Sequence, residues 1–306
     1  MVRQRLATVT SDFGSGKRES HDSTPFYERF SPPIISPDEH VIAPVTVDEI
    51  FFGDARSMSD SEVADGSVAL LVTSPPYFTG KEYETDLAQG HIPSSYVEYL
   101  EMLHDVLAIS LRKLEPGGRM AINVANLGRK PYRSLSADLI SILQDDLGML
   151  LRGEVIWQKA KGAGGSCAWG SYRSPQNPVL RDVTERVIIA SKGRFDRAVK
   201  RSKREEEGLP HEASIDTDEF LEATLDVWEI PSERATRVGH PAPFPVALPR
   251  RLIELYTYLG DLVLDPFIGS GTTAIAALET GRHYVGFDTE ESYIALATER
   301  IREARP

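Results

Sequence analysis

A polar stretch, TSPPY at residues 73–77, carries groups suited to binding a planar ring with an amino group. It follows the apolar run VALLV, which predicts a buried strand that the two prolines end, because proline has no amide donor and a fixed φ. The Ser74 hydroxyl and the Pro75 carbonyl can accept both protons of an exocyclic amine, and Tyr77 can stack on the ring. We therefore predict a catalytic site at Ser74, Pro75, Pro76 and Tyr77. A strand-end turn with a surface tyrosine is the alternative.

A second motif, LVLDPFIGSGTTAIAAL at residues 262–278, predicts a strand, a tight turn and a helix. Gly269 and Gly271 permit backbone conformations and close approaches that a Cβ would block. Thr272 and Thr273 are expected to cap the helix that follows. The pattern suits a nucleoside cofactor, although a plain strand-to-helix turn would look the same.

Two carboxylates indicate which nucleoside cofactor fits. Asp288 ends the next predicted strand, where an acid suits a ribose with two free hydroxyls. Asp265 stands at the tip of the first strand, where its charge would repel a pyrophosphate but attract an ammonium group. S-adenosyl-L-methionine carries both a ribose and an ammonium, so we expect it as the cofactor, and we expect no metal ion.

Strands and helices alternate from about residue 48, which is typical of an α/β sheet covered by helices. The predicted strands are 48–53, 68–73, 118–125, 153–159, 184–191, 262–266 and 283–288. The predicted helices are 94–114, 135–149, 246–259, 272–280 and 290–303. Two polar or glycine-rich stretches, 160–183 and 192–226, look inserted into this sheet domain.

Composition narrows the class of protein further. The chain has 306 residues, of which 41% are hydrophobic, enough for one large domain or two modest ones. Because it has no apolar run near the roughly 20 residues of a membrane span and no apolar leader, we expect no membrane partner. The single cysteine, Cys167, excludes an internal disulfide and fits a reducing cytoplasm.

One basic run contrasts with the formal net charge of −12. The run KGRFDRAVKRSKR, residues 192–204, holds seven basic residues and one Asp. A solvated surface is the ordinary interpretation of such a run. Contact with nucleic-acid phosphates is the functional one.

Together the motifs resemble the amino-methylating DNA methyltransferases of bacterial restriction-modification systems, over roughly residues 48–303. TSPPY is similar to their catalytic D/N/S-P-P-Y/F tetrapeptide, and DPFIGSGTT to their cofactor loop. The catalytic motif precedes the cofactor loop, which is the order of the β-type members. The resemblance implies an α/β, Rossmann-like methyltransferase fold. Its sheet would have seven mostly parallel strands, one of them antiparallel, and an inserted target-recognition region.

The resemblance also implies the cofactor contacts. FFGDA (51–55) resembles the strand whose acid lies near the cofactor, and GHPAPFPVALPRRLIELY (239–256) resembles the segment before the cofactor loop. EVIWQK, TERVIIASK and DVWEIP resemble downstream strands of the family. The cofactor-binding residues so implied are Asp54, His240, Pro241, Phe244, Asp265, Pro266, Phe267, Gly269, Gly271, Thr272, Thr273 and Asp288.

The implied organisation has an irregular arm at 1–45, a catalytic domain at 46–191 and 239–306, and a target-recognition region at 192–238. Since the basic run falls in that region, the resemblance favours its contact with duplex DNA. The DNA-binding residues so implied are Lys192, Arg194, Arg197, Lys200, Arg201, Lys203 and Arg204. The stretch 161–178 is expected to line the path of the flipped base. Further expectations are a restriction endonuclease for the same site, a homodimer, and a bacterial cytoplasmic, nucleoid-associated location.

The implied reaction is direct methyl transfer to the amine of a base flipped out of the duplex. Members with Ser at the first tetrapeptide position mostly methylate the N4 amine of cytosine, so Ser74 favours N4-methylcytosine. The N6 amine of adenine is the alternative, and a cofactor-sensing DNA-binding protein without turnover is a third. No Pro-Cys pair, the nucleophile motif for methylation at carbon 5 of cytosine, occurs in the chain. Cys167 is therefore expected to be structural.

Overall fold

Strands and helices alternate along the chain as expected, within one mixed sheet. The computed structural model describes residues 34–76, 95–126, 132–159, 170–180, 182–232 and 244–304. The strands are β1 (Glu49–Phe52), β2 (Val68–Thr73), β3 (Leu114–Val124), β4 (Leu150–Gln158), β5 (Thr184–Ser191), β6 (Val227–Glu229), β7 (Leu262–Asp265) and β8 (His283–Asp288). The α-helices are α1 (Tyr96–Lys113), α2 (Leu135–Ser141), α3 (Arg201–Glu206), α4 (Thr217–Ala223), α5 (Ala247–Tyr256), α6 (Thr272–Glu279) and α7 (Glu291–Ala304).

The strand order in the sheet is β1-β8-β7-β2-β3-β5-β4-β6. Each neighbouring pair is parallel except the two pairs that β5 makes with β3 and β4, so β5 alone among the described strands runs antiparallel. The chain proceeds from β2 towards one side of the sheet and from β7 towards the other. The boundary between β7 and β2 is therefore the topological switch point, at which open α/β sheets bind ligands beyond the carboxyl ends of their strands.

Helices cover both faces of this sheet. On one face, α1 and α2 bury a core that includes Leu103 and Leu139 against Leu71. On the other face, α5, α6 and α7 pack against a second core that includes Leu252 and Val263. The continuous apolar strands follow from this arrangement, since a sheet covered on both sides needs apolar residues on both sides.

Local sequence signals set several helix ends. The Ser95 hydroxyl accepts the Glu98 amide at 3.2 Å and starts α1, as its sequence predicted. The Asp216 carboxylate accepts the Glu219 amide at 2.8 Å and starts α4, a short helix that the periodicity did not predict. The α-helix predicted at 135–149 is shorter in the structure, since α2 ends at Ser141 and continues as a π-helical turn over Ile142–Asp146.

The seven predicted strands are all present, and β6 is an additional eighth. It lies in DVWEIP and pairs in parallel with β4 at the edge of the sheet. Three residues give too little alternation to predict a strand, but the resemblance of DVWEIP to a downstream strand of the family indicated one here. The segment 192–238, expected as a separate region, therefore contributes one strand to the catalytic sheet.

The described part of the N-terminal arm, residues 34–45, forms neither helix nor strand. It is held by backbone hydrogen bonds from Ser36 to Gly193, 2.7 Å, and from Ile42 to Gly66, 3.1 Å. It leads through Asp48 into β1. Within the described ranges, no helix is long and apolar enough to cross a membrane.

Candidate active site

The two predicted motifs meet at the switch point of the sheet. Ser74 follows the end of β2, and the glycine loop follows the end of β7. These strands are parallel neighbours, with Leu71 opposite Leu264, so their carboxyl ends lie side by side. A base held by the first motif and a cofactor held by the second would therefore share one cleft. Ser74 is half-buried there, Pro75 is buried and Pro76 is exposed.

A buried carboxylate joins the two motifs directly. The Thr73 hydroxyl at the tip of β2 donates to Asp265 Oδ1 at 2.6 Å. The Thr273 hydroxyl in the first turn of α6 donates to Asp265 Oδ2, also at 2.6 Å. The Phe267 amide adds a third hydrogen bond to Oδ1 at 3.1 Å. Asp265 thus fastens the residue before Ser74 to both ends of the glycine loop.

This geometry corrects the role predicted for Asp265. Its residue surface is only 1% exposed, so its charge does not face an ammonium group in the cleft. Burial raises the pKa of Asp265 to about 6, although the hydrogen bonds from Thr273, Thr73 and Phe267 oppose that shift. The local pattern placed Asp265 correctly at a strand tip, but the two threonines turn its carboxylate inward.

The glycine loop fits its neighbours through missing side chains. Gly271 has a φ of +78°, and a Cβ there would lie 3.0 Å from the Ala297 Cβ of α7. A Cβ on Gly286 would lie 2.7 Å from the Ile268 side chain, so glycine in β8 lets the loop rest on that strand. These contacts hold the loop close to the sheet.

The threonines after the glycines do not cap α6, which corrects a second expectation. Gly271 occupies the N-cap position, and no side chain caps the helix there. Thr273 uses its hydroxyl on Asp265 instead. Arg300 of α7 donates to the Ser270 carbonyl and, at 3.4 Å, to the Thr272 hydroxyl. Long-range partners thus took the hydroxyls that local sequence assigned to capping.

Asp288 ends β8 beside the glycine loop, as predicted. Its carboxylate accepts the Gly269 amide and the Glu290 amide, each at 2.9 Å. Burial raises the pKa of Asp288 above its ordinary value, against the effect of these two hydrogen bonds. Since the residue is still partly exposed, it can both shape the loop and reach a ligand.

Asp54 lies next to Asp288, because β1 and β8 pair with Phe52 opposite Asp288. Its carboxylate accepts the Arg56 amide at 2.9 Å and an ion pair from the Arg56 guanidinium. Two acids therefore end neighbouring strands at the predicted cofactor side of the cleft.

The remaining predicted site residues divide into two groups. Pro266 and Phe267 lie in the turn after β7, and Phe244 packs against the core beneath α5 and α6. Tyr77, His240, Pro241 and Cys167 lie outside the described residues.

A polar chain on the other side of Ser74 was not predicted. Asn123, near the end of β3, donates to the Ser74 hydroxyl at 3.5 Å and to Glu185 Oε2 at 2.6 Å. Lys159 donates to Glu185 Oε1 at 2.9 Å. Asn123 and Glu185 are buried, so this chain gives Ser74 a fixed polar neighbour. The sequence signal for this chain was one polar residue near the end of each apolar strand that lies beside Ser74. These residues are Asn123 in AINVAN and Glu185 in TERVIIAS.

The basic run lies at the opposite end of the strands from this site, beside the amino ends of the parallel strands. The antiparallel strand β5 starts at Thr184, opposite Gln158, and ends at Ser191, opposite Leu150. It carries the chain about 23 Å from the catalytic edge to the other edge before Lys192 begins. The Gly117 amide donates to the Lys192 carbonyl there, at 2.9 Å.

Several of the basic side chains are used within the fold. Arg204 is 1% exposed, and both it and Arg197 form ion pairs with the buried carboxylates Glu115 and Asp261. Lys192 donates to the Leu114 carbonyl at 2.6 Å. A buried charge needs such partners, because desolvation would otherwise cost several kcal/mol.

These positions correct the predicted DNA-binding set. Arg197 and Arg204 are structural, and Lys192 and Arg194 bond to neighbouring carbonyls. Lys200, Arg201 and Lys203 are exposed but share the edge opposite Ser74. The family resemblance, not the density of charge alone, had favoured a DNA surface here. The carboxylates that neutralise it come from β3 and the start of β7, far away in sequence.

The side chains beyond the carboxyl ends of the parallel strands fit S-adenosyl-L-methionine. Asp288 and Asp54 can accept hydrogen bonds from ribose hydroxyls or an ammonium group. The half-buried Phe267 offers apolar surface beside them.

The sheet is doubly wound with one antiparallel strand among those described, a glycine loop lies at its switch point, and a Ser-Pro-Pro strand end lies beside that loop. These features define a Rossmann-like methyltransferase. The DNA methylase family N6_N4_Mtase matches residues 68–299, and the chain belongs to that family. It is an amino-methyltransferase of the restriction-modification type, it uses S-adenosyl-L-methionine, and its substrate is DNA.

Individual relatives agree with this assignment. The type II methyltransferase M.MjaI of Methanocaldococcus jannaschii is 29% identical over 83% of this chain and 90% of its own length. M.BglI of Bacillus subtilis, also a type II methyltransferase, is 30% identical over 81% and 84%. A Thermus thermophilus protein, TTHA0409, named as a DNA modification methylase and solved with S-adenosyl-L-methionine, is 29% identical. The structural match covers 84% of this chain and 94% of the Thermus thermophilus chain, with a TM-score of 0.64.

Proposed function

We propose that the protein methylates the exocyclic N4 amine of cytosine in duplex DNA, at a specific sequence. The observation that carries this proposal is the half-buried Ser74 hydroxyl at the switch point, fixed between the Asp265 link and the Asn123 chain. N6-methylation of adenine is the alternative within the same class.

In this proposal the target base leaves the duplex and enters the cleft beyond β2. The Ser74 hydroxyl and the Pro75 carbonyl accept one amine proton each, which orients the nitrogen lone pair towards the cofactor side. Tyr77 stacks on the ring. Because the Thr73 hydroxyl donates a hydrogen bond to Asp265, the distance between the strand end that carries Ser74 and the glycine loop is fixed.

S-adenosyl-L-methionine supplies a methyl group on a sulfonium, which is an electrophile. The amine nitrogen forms a bond to the methyl carbon while the carbon–sulfur bond breaks, and the nitrogen then loses one proton to solvent. The two acceptors stabilise the positive charge that grows on the nitrogen. Asp288 and Asp54 hold the polar groups of the cofactor.

Serine at the tip supports cytosine over adenine through the family resemblance, since both bases present the same two amine protons. The test uses the full chain on unmethylated duplex DNA, followed by digestion to nucleosides. N4-methylcytosine and 5-methylcytosine have the same mass, so chromatographic standards must separate them. We expect N4-methylcytosine.

A matched variant, Ser74→Ala, should bind cofactor but form little product. N6-methyladenine as the sole product would move the protein to the alternative. A product of 5-methylcytosine would overturn direct transfer to an amine.

Two further partners belong to the proposal. A restriction endonuclease that cuts the same sequence would be blocked by the modification, and a digest of modified DNA with that nuclease tests this. A second copy of the chain is the other partner, and analytical sedimentation tests it. Because the substrate is duplex DNA, we also propose that the protein acts in the cytoplasm on the chromosome.

A further inference from the structure

The flipped base must reach Ser74, so duplex DNA has to approach the edge of the sheet where β2 ends. The connection between β4 and β5 opens at this same edge. A hydrogen bond from the Lys159 amide to the Val183 carbonyl, 2.9 Å long, joins the two ends of this connection, and we call this pair of residues the neck. Lys159 and the start of β5 also hold Asn123 through Glu185, beside Ser74. Any segment that projects from this neck is therefore close to the DNA.

The described part of that connection, residues 170–180, forms a self-supporting loop, which we call the hairpin loop. Gly170 pairs with Pro178 across its base, and the Ser171 amide donates to the Asn177 carbonyl at 2.9 Å. The Ser171 hydroxyl accepts the Asn177 amide at 2.7 Å and donates to the Ser174 carbonyl at 3.1 Å. These bonds hold the loop's conformation although most of its side chains are exposed.

The base of the hairpin loop requires glycine. Gly170 has a φ of +68°, and a Cβ there would lie 2.1 Å from the Asn177 carbonyl oxygen. Arg173 at the tip also has a positive φ, +53°, which is uncommon for a residue with a side chain. The tip is thus held in one specific and unfavourable conformation, which aims its side chains outward.

Those outward side chains suit the edges of base pairs. Tyr172 is 69% exposed, and Arg173 and Gln176 are exposed beside it. Arginine can form two hydrogen bonds with guanine, and glutamine two with adenine, in the major groove. Tyrosine adds a flat face for stacking. The exposed residues of the basic run, by contrast, lie on the opposite edge of the sheet.

We propose that the hairpin loop reads the DNA sequence around the target base, through Arg173 and Gln176. The inference rests on the proposed function, because it requires duplex DNA at the catalytic edge. It gives the loop the recognition role that the family resemblance had implied for residues 192–238.

The test compares loop variants with a control from the basic run. Arg173→Asn keeps a residue that tolerates positive φ, so it should preserve the loop's shape. Gln176→Ala removes the second reader, and the double variant Lys200→Ala/Arg201→Ala is the control. Each full-length protein methylates genomic DNA that lacks the modification, and sequencing that detects the modified base maps the methylated sites.

We expect Arg173→Asn and Gln176→Ala each to relax selection at one base position and to slow methylation of the parental site about tenfold to a hundredfold. Cofactor affinity, measured by calorimetry, should stay at the parental value and shows that each variant is folded. The control should keep the parental site preference. Unchanged preference in both loop variants, or an altered preference in the control alone, would overturn the inference. A product other than N4-methylcytosine, with the same relaxed sites, would refute the proposed base but leave the reading role intact.

Discussion

Replacing Asp265 by asparagine tests the link between the two halves of the site. The substitution keeps the shape of the side chain but removes its charge and one of its two acceptor oxygens. Thr73 and Thr273 each donate to one of those oxygens at 2.6 Å, so the variant cannot accept both bonds in the same way. We expect the tip that carries Ser74 to loosen and methyl transfer to slow by about tenfold to a hundredfold.

The charge itself should reduce stability above neutral pH. Burial raises the pKa of Asp265 from 3.8 to about 6, so the folded protein binds this proton more tightly than the unfolded chain. Stability from this group is therefore greatest at low pH and falls as pH rises through the interval between the two values. With these pKa values, linkage gives about 1 kcal/mol more stability at pH 5 than at pH 8.

The assay is urea unfolding of the parent and of Asp265→Asn at several pH values from 5 to 8. The difference in unfolding free energy, parent minus variant, should fall by about 1 kcal/mol across that range, because the amide does not titrate. Asp146→Asn, on an exposed carboxylate, serves as the control for the loss of one surface charge. Parallel profiles for the parent and Asp265→Asn would refute the reasoning that burial dominates at this carboxylate.

Four further substitutions test other parts of the site. Ser74→Ala should leave cofactor affinity nearly unchanged and slow single-turnover transfer about tenfold to a hundredfold; loss of cofactor binding would instead place Ser74 in the cofactor pocket. Asp288→Ala should weaken cofactor binding by about 1–3 kcal/mol in calorimetry, since the carboxylate holds the loop and is proposed to bind the cofactor; full affinity would exclude it from the cofactor site. Gly286→Ala places a Cβ 2.7 Å from the Ile268 side chain, so urea unfolding should show a loss of about 1–3 kcal/mol, and an unchanged stability would contradict the packing. Arg204→Met should lower stability by about 3–5 kcal/mol, because it leaves buried carboxylates short of a partner, while the salt dependence of DNA binding stays unchanged; a flatter salt slope would return Arg204 to the DNA surface.

The alternation of elements and the two motifs were readable from the sequence because they depend on neighbouring residues. An apolar run followed by two prolines can hardly be anything but a strand end, and glycines between a strand and a helix mark a tight turn. The pairing of parallel strands β2 and β7 then brings these two ends together, so Ser74 and the glycine loop lie side by side. Periodicity did not predict strand β6, because three residues show no period, and only the family resemblance of DVWEIP indicated it.

The partners of the charged and hydroxyl groups were decided only by the tertiary structure. Thr73 and Asp265 are 192 positions apart, and the local sequence of Asp265 predicted contact with a cofactor rather than with Thr73. Arg204 reads as part of a basic surface until Glu115 and Asp261 arrive from two distant strands. Local patterns determine whether a segment is a strand, helix or turn. The long-range packing of the sheet determines which opposite charges and hydrogen-bond partners surround a side chain, and hence whether it faces a ligand or stabilises the fold.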